Sequence, residues 1–340
     1  MNVIEIENVT KTFGQHRAVD GLSLSVPEGC IYGFIGPNGS GKTTTLRMIM
    51  RIYFPDAGGG RIRVLGEDAH GAAHDRIGYL PEERGLYKKM KVRDVLRFYA
   101  ELKGVRDFKG AVASWLQRLD LADWADKKVE TLSKGMAQKV QFISAVIARP
   151  DLIILDEPFS GLDPVNMEVL REAVLDLRKE GATVIFSTHD MDVAEKMCDF
   201  VFMIYKGRKV LDGTLDTIQD RYGQDTLRVR LDALDGALSG RARADMDLSR
   251  LPGVERVTDF GRLQELRITP ETDTQDVLAA LMQRGRVVHF SLARPSLRDI
   301  FVRIAGPEAI GEAETPANGM GRAVAATPAT RPVSQGIPHA

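Results

Sequence analysis

The chain has 340 residues, 44% of them hydrophobic, enough to bury one large domain or a large one with a smaller companion. Lys and Arg number 46 against 47 Asp and Glu, a formal charge of -1, so no bulk field draws nucleic acid and none is expected as a partner. Cys30 and Cys198 stand far apart without metal-type spacing, and the apolar runs fall well short of the ~20 residues that span a bilayer; both observations point to a cytoplasmic chain without a disulfide framework.

In chain order, Met1–Glu7 alternates apolar and acidic residues like a half-buried strand and lacks the pattern of a signal peptide. Ile31–Ile35 is a short apolar strand, followed by a glycine-rich stretch and a helical pattern through Ile52. From 83 to 148 the periodicity is helical, with Val92–Leu102 and Ala111–Leu119 spaced at three to four residues, which predicts an inserted helical subdomain. Strand runs return at Leu152–Leu155, Thr183–Ser187 and Phe200–Ile204, so residues 1–222 read as an α/β domain on a largely parallel sheet. Residues 223–305 predict a small α+β accessory domain, with strands near Leu227–Leu231, Leu263–Ile268 and Val287–Leu292 and helices near Thr274–Arg284 and Ser296–Ile304. The Gly, Pro, Ala and Thr-rich stretch 306–340 has too little apolar surface to offset its ordering entropy and predicts a disordered tail.

The stretch Gly36, Pro37, Asn38, Gly39, Ser40, Gly41, Lys42, Thr43 matches G-x-x-x-x-G-K-[ST] between a strand and a helix, and Thr44 continues into that helix. Its glycines let backbone N–H groups close round a polyphosphate, Lys42 reaches the outer phosphates, and the Thr43 hydroxyl can ligate Mg2+. A second apolar strand ends in Asp156 and Glu157 at the edge where α/β sheets bind ligands. Asp156 reads as the metal-side carboxylate. Glu157, expected to point elsewhere by strand alternation, reads as the group that polarises a water.

Three further stretches narrow the choice among phosphate-loop proteins. Leu132-Ser133-Lys134-Gly135-Met136 precedes a helical pattern from Ala137 to Ala148 and resembles the signature of ATP-binding-cassette (ABC) ATPases, with Lys134 and Met136 departing from it. Ser160-Gly161-Leu162-Asp163 resembles the family's D-loop, and Thr188-His189 resembles its switch histidine. On these motifs, residues 3 to 214 resemble the ATP-binding subunit of an ABC transporter. Leu80–Tyr87 and the small C-terminal segment look like bacterial exporter ATPases of the sodium-efflux and antibiotic-efflux type.

The resemblance implies ATP and Mg2+ as cofactors, and ATP hydrolysis coupled to outward transport through a separate integral membrane permease at the inner face of the membrane. It also implies a homodimer or a paired ATPase, because each nucleotide lies between one subunit's phosphate loop and the other's signature. Phe13 then takes the place that stacks on adenine, Ser133 and Gly135 contact the partner's nucleotide, and His189 meets the γ-phosphate. Glu82 stands where the family usually has a Gln that approaches the metal. Two alternatives are a soluble ABC ATPase acting on the ribosome or another non-membrane partner, and a phosphate-loop kinase; one cassette without sustained heptads, and the joint presence of signature, D-loop and histidine, argue against them. The segment Glu83–Val92 is expected to dock the permease, and a cut after Tyr222 is expected to leave ATP binding in place.

Overall fold

The computed structural model describes residues 1–68, 73–83, 85–222, 225–232, 247–261 and 263–306. The expected disordered tail therefore lies, apart from Gly306, outside the described residues. The chain opens with a long hairpin, β1 (Asn2–Phe13) and β2 (His16–Pro27), whose alternating buried residues Ile4, Ile6, Leu22, Leu24 and Val26 face one core. β4 (Arg61–Val64) and the two-residue β5 (Glu67–Asp68) extend this antiparallel sheet in the order β2-β1-β4-β5.

The central sheet holds β3 (Ile31–Ile35), β6 (Ile77–Leu80), β7 (Leu152–Asp156), β8 (Thr183–Thr188), β9 (Phe200–Tyr205) and β10 (Arg208–Thr214), in the order β10-β9-β3-β8-β7-β6. Only β10 runs antiparallel to its neighbour. Its middle strands are buried on both faces, which is why they read as unbroken apolar runs. Alternate residues feed two cores. Ile31, Ile35, Ile153, Leu155, Val184 and Phe186 face one; Tyr32, Phe34, Leu152, Ile154 and Ile185 face the other, beneath the antiparallel sheet.

Helix α1 (Lys42–Ile49) follows β3, while α2 (Val92–Leu102), α3 (Phe108–Arg118) and α4 (Lys134–Val146) occupy the stretch between β6 and β7. α2 buries Val92, Val95, Leu96 and Ala100, one stripe of a 3.6-residue period. The helices after β7 and β8 are capped by acids: Asp163 accepts from the N–H groups of Val165 and Asn166 at the start of α5 (Pro164–Lys179), and Asp190 from those of Asp192 and Val193 at the start of α6 (Met191–Met197). Helix α7 (Leu215–Tyr222) follows β10.

A second antiparallel sheet, β12-β13-β11-β14, is built from β11 (Thr226–Asp232), β12 (Val254–Asp259), β13 (Gln264–Ile268) and β14 (Arg286–Leu292), with α8 (Thr274–Arg284) on its apolar face. In this C-terminal segment two features depart from the sequence expectation. β12 was not expected: a register shift between Val254 and Arg256 breaks the alternation that marks a strand, leaving Val254 and Val257 three residues apart. The last helix, α9 (Leu297–Ala305), does not belong to the accessory core. Leu297, Ile300 and Phe301, each 0% exposed, pack into the first core, with the Phe301 and Tyr205 rings edge to face at 5.6 Å. Among the described residues no helix is long and apolar enough to cross a membrane.

Candidate functional site

Four parallel strands, β3, β6, β7 and β8, end on one edge of the central sheet, and the residues just past those ends meet there. The resulting cleft, about 520 Å3, is lined by Phe13, His16, Ala18, residues 38–44, Glu82, Glu157, Ser160 and His189.

The loop after β3 is shaped by close backbone approach. A Cβ on Gly36 would lie 2.2 Å from the Ile204 carbonyl oxygen, and one on Gly41 2.5 Å from that of Ala18, at a φ of +110°. Gly36 and Pro37 are buried, while Asn38 and Gly39 face the opening. The Lys42 ammonium is buried and donates to the carbonyls of Gly36 at 2.7 Å and Pro37 at 3.2 Å, and lies 3.7 Å from Glu157 Oε1. Burial pushes its pKa down, against the pull of Glu157, Asp156 and Glu82. Its partners are loop carbonyls that an arriving phosphate can replace.

Asp156 is wholly buried at the end of β7. Its Oδ1 accepts from Thr43 Oγ1 at 3.2 Å and from Ser187 Oγ at 2.5 Å, whereas Oδ2 is buried with no partner among the described residues. Burial raises its pKa, and the Ser187 and Thr43 hydroxyls oppose that rise. An orphaned carboxylate oxygen beside a threonine hydroxyl fits Mg2+, an ion commonly held by one or two carboxylates together with phosphate oxygens and waters. No group of three or more His, Cys, Asp or Glu forms a metal cluster among the described residues, and such an ion needs none.

Glu157 has other partners than Asp156, and strand alternation does not set its course as expected. The strand stops at Asp156, and Glu157 takes a left-handed φ of +50°, a conformation uncommon outside glycine, held by its own N–H donating to Ser187 Oγ at 3.0 Å. Its Oε1 meets His189 Nδ1 at 3.0 Å. That contact, ahead of the partial burial that opposes it, raises the pKa of His189. Glu82 stands at the rim of the cleft, its carboxyl pushed up by partial desolvation and then by Asp156 and Glu157. The Phe13 ring, 42% exposed, borders the mouth and leans edge-on against Tyr53 at 5.2 Å.

Ser133 and Gly135 do not line this cleft. Ser133 is exposed and caps its own helix, accepting from the Met136 N–H at 3.2 Å. Residues absent from the sequence-based site are His16, Ala18 and Ser160 in the lining, and Ser187 behind it. Ser187 is set by register: β7 and β8 pair Asp156 with Ser187, a signal that needs the strand pairing as well as the motif.

Fold and cleft define a phosphate-loop nucleotide-binding enzyme. The ABC transporter family matches residues 19–160, and residues 213–305 match the C-terminal domain of DrrA1-3-like ATP-binding proteins. The ABC transporter ATP-binding protein YhaQ of Bacillus subtilis (strain 168) is 42% identical over 309 residues, covering 89% of this chain and 99% of the relative. The Nod factor export ATP-binding protein I of Paraburkholderia xenovorans (strain LB400) is 34% identical over 312 residues, 90% of this chain and 97% of the relative. A solved ATP-binding subunit of an ABC transporter superposes with a TM-score of 0.60 at 29% identity, over 65% of this chain and 93% of that one. The chain belongs to the ABC transporter ATP-binding subunits, a family of ATPases.

Proposed function

We propose that this ATPase powers export through a separate membrane-spanning permease, with two ATPase chains, identical or paired, closing over nucleotide at the cytoplasmic face. The observation that carries the reading is that Lys42, Glu157 and His189 line one cleft, with Asp156 buried behind Thr43, while Ser133 and Gly135 stand outside it. A second chain, facing head to tail, supplies its Ser133 and Gly135 to the open side. Export is supported by the Nod factor export relative and the DrrA-like C-terminal match.

In the closed site, the loop N–H groups of residues 38–44 and the Lys42 ammonium hold the phosphates, and Phe13 offers a ring for the base. Thr43 and Asp156, with Glu82 nearby, would hold Mg2+, which would supply positive charge to the phosphates. Glu157 orients and polarises the attacking water, and His189, bonded to Glu157, turns to the γ-phosphate. ATP stabilises the closed pair and its hydrolysis releases it, which biases the membrane partner between two states.

The helical segment is the surface this reading gives the permease. Arg93, Arg97, Phe108, Val112 and Leu116 line a groove of about 780 Å3 on the helical segment, next to Glu83–Val92. The deciding test is Glu157→Gln in purified protein. It should bind ATP, accumulate as a dimer on size exclusion, and hydrolyse roughly 10²- to 10⁴-fold more slowly. Hydrolysis at the wild-type rate removes Glu157 from this role, and co-purification with ribosomes in place of a multi-span membrane protein removes the transport reading.

A further inference from the structure

Helix α4 is capped by Ser133, and two of its buried side chains are glutamines one turn apart, Gln138 at 3% and Gln141 at 4% exposure. Amides in such surroundings cost free energy unless they are bonded, so their partners identify what they are for. Gln141 Nε2 donates to two backbone carbonyls, Pro81 at 3.3 Å and Glu83 at 3.2 Å. Those carbonyls lie on either side of Glu82. Gln138 Nε2 donates to the Pro158 carbonyl at 3.2 Å, directly after Glu157. The amide orientation of Gln141 is settled by chemistry: both facing groups are acceptors, so only the NH2 end can meet them. Its Oε1 is buried with no partner among the described residues, so the residue is kept here for its donors.

We infer that Gln141 is a positioning residue: its amide clamps the two carbonyls that bracket Glu82 and thereby sets where that carboxylate stands relative to Asp156 and Lys42. The inference rests on the reading of Glu82 as a metal-side group. Loop residues 81–83 follow β6 without regular structure, and with their neighbouring carbonyls untied they would sample other positions. Because Gln138 ties the loop after Glu157 to the same helix, α4 holds both acidic loops to the element that Ser133 caps. A group that acts this way changes metal response before it changes nucleotide affinity, since it touches neither phosphate nor base.

The test uses the full chain with Gln141→Met, which keeps the length of the side chain and removes both donors. Gln141→Glu is the second variant: ionised it donates to neither carbonyl, and protonated it has one O–H for the two of them. In the nucleotide-free, metal-free protein, hydrogen exchange of the peptide covering residues 80–86 should speed up by roughly ten- to thirtyfold, the expected result of losing two modest hydrogen bonds. In ATPase titrations the Mg2+ concentration for half-maximal rate should rise by roughly ten- to a hundredfold. ATP affinity without metal should stay the same. In an E82A background, the Gln141 substitutions should add no further shift.

Unchanged exchange in both variants overturns the inference. So does a Mg2+ curve that E82A shifts and the Gln141 variants leave alone, or a shift of equal factor with and without Glu82. If E82A itself behaves as wild type, the Glu82 reading fails and takes this inference with it. The two failures are told apart by which single variant is silent.

Discussion

His189 Nδ1 and Glu157 Oε1 stand 3.0 Å apart, so the side chain expected to meet the γ-phosphate and the one expected to polarise the attacking water are bonded to each other. The contact favours imidazolium, and it moves the titration of His189 upward from its ordinary 6.5. A raised histidine pKa contributes stability that is fully present below pH 6.5 and is lost as pH rises through the higher folded-state midpoint. Histidine C–H resonances of the nucleotide-free chain should therefore show His189 titrating above 6.5. In Glu157→Gln its midpoint should fall back, and an unchanged midpoint there would mean that Glu157 does not set it.

Ser187 joins the two acids behind the cleft, donating to Asp156 Oδ1 and accepting from the Glu157 N–H. Ser187→Ala leaves that buried N–H without its acceptor and the carboxylate with one donor fewer, at a cost of ~1–3 kcal/mol. The loss depends on pH, with a definite sign. Burial already raises the folded pKa of Asp156 above its ordinary 3.8, so the native state holds the extra proton and stability declines as pH climbs from there toward the raised folded pKa. Removing Ser187 raises that pKa further. Denaturant unfolding should show a deficit that grows as pH rises above 3.8, and a deficit that shrinks with rising pH would contradict this account. Hydrolysis should fall as well, because the left-handed turn of Glu157 loses its tether.

What the sequence makes legible here follows from locality. The phosphate loop, the ends of β7 and β8 and the capped helix starts are each written in a few consecutive residues, and an apolar run flanked by Gly or Asp announces them. Ser187 and Gln141 are different, because their partners lie 31 and 58–60 positions away and are fixed by strand register and helix packing. The direction of Glu157 is also not local. Alternation does not set it, since the strand has ended and a left-handed residue does the turning. β12 escapes because its bulge removes the period-two signal.

Glu82 brings a carboxylate to a place where the family usually has an amide, near the carboxylates of Asp156 and Glu157, which with partial desolvation raise its pKa. Under the metal-side reading, an added divalent cation should offset that repulsion. Glu82→Gln keeps a ligating oxygen without the charge and should shift the Mg2+ titration of ATPase rate less than Glu82→Ala does. The alanine variant should need roughly tenfold more Mg2+ or greater, the scale expected on losing a group that supports a metal site. Titrations with and without the permease would measure both, and an alanine variant matching wild type in every curve would rule the role out.

The last helix makes a prediction that reverses the expectation for a cut after Tyr222. Leu297, Ile300 and Phe301 of α9 fill the first core against α6, the helix that begins two residues after His189, and the Leu297 N–H donates to Glu195 on that helix. Removing α9 would strip the Tyr205 ring of its Phe301 partner and leave the half-buried Glu195 carboxylate without that donor. Each of the three deleted side chains contributes ~1.5–3 kcal/mol of burial, so the loss is a large part of the margin of an ordinary domain. Two point variants separate this effect from damage to the accessory sheet. Phe301→Ala should cost ~3–5 kcal/mol and lower the unfolding midpoint measured in the presence of ATP. Leu281→Ala in α8 removes an equally buried side chain from the accessory core, so it should destabilise that sheet and leave the ATP-linked transition near its wild-type position. If Phe301→Ala spared that transition and Leu281→Ala lowered it, α9 would not be part of the nucleotide-binding core, whatever its packing.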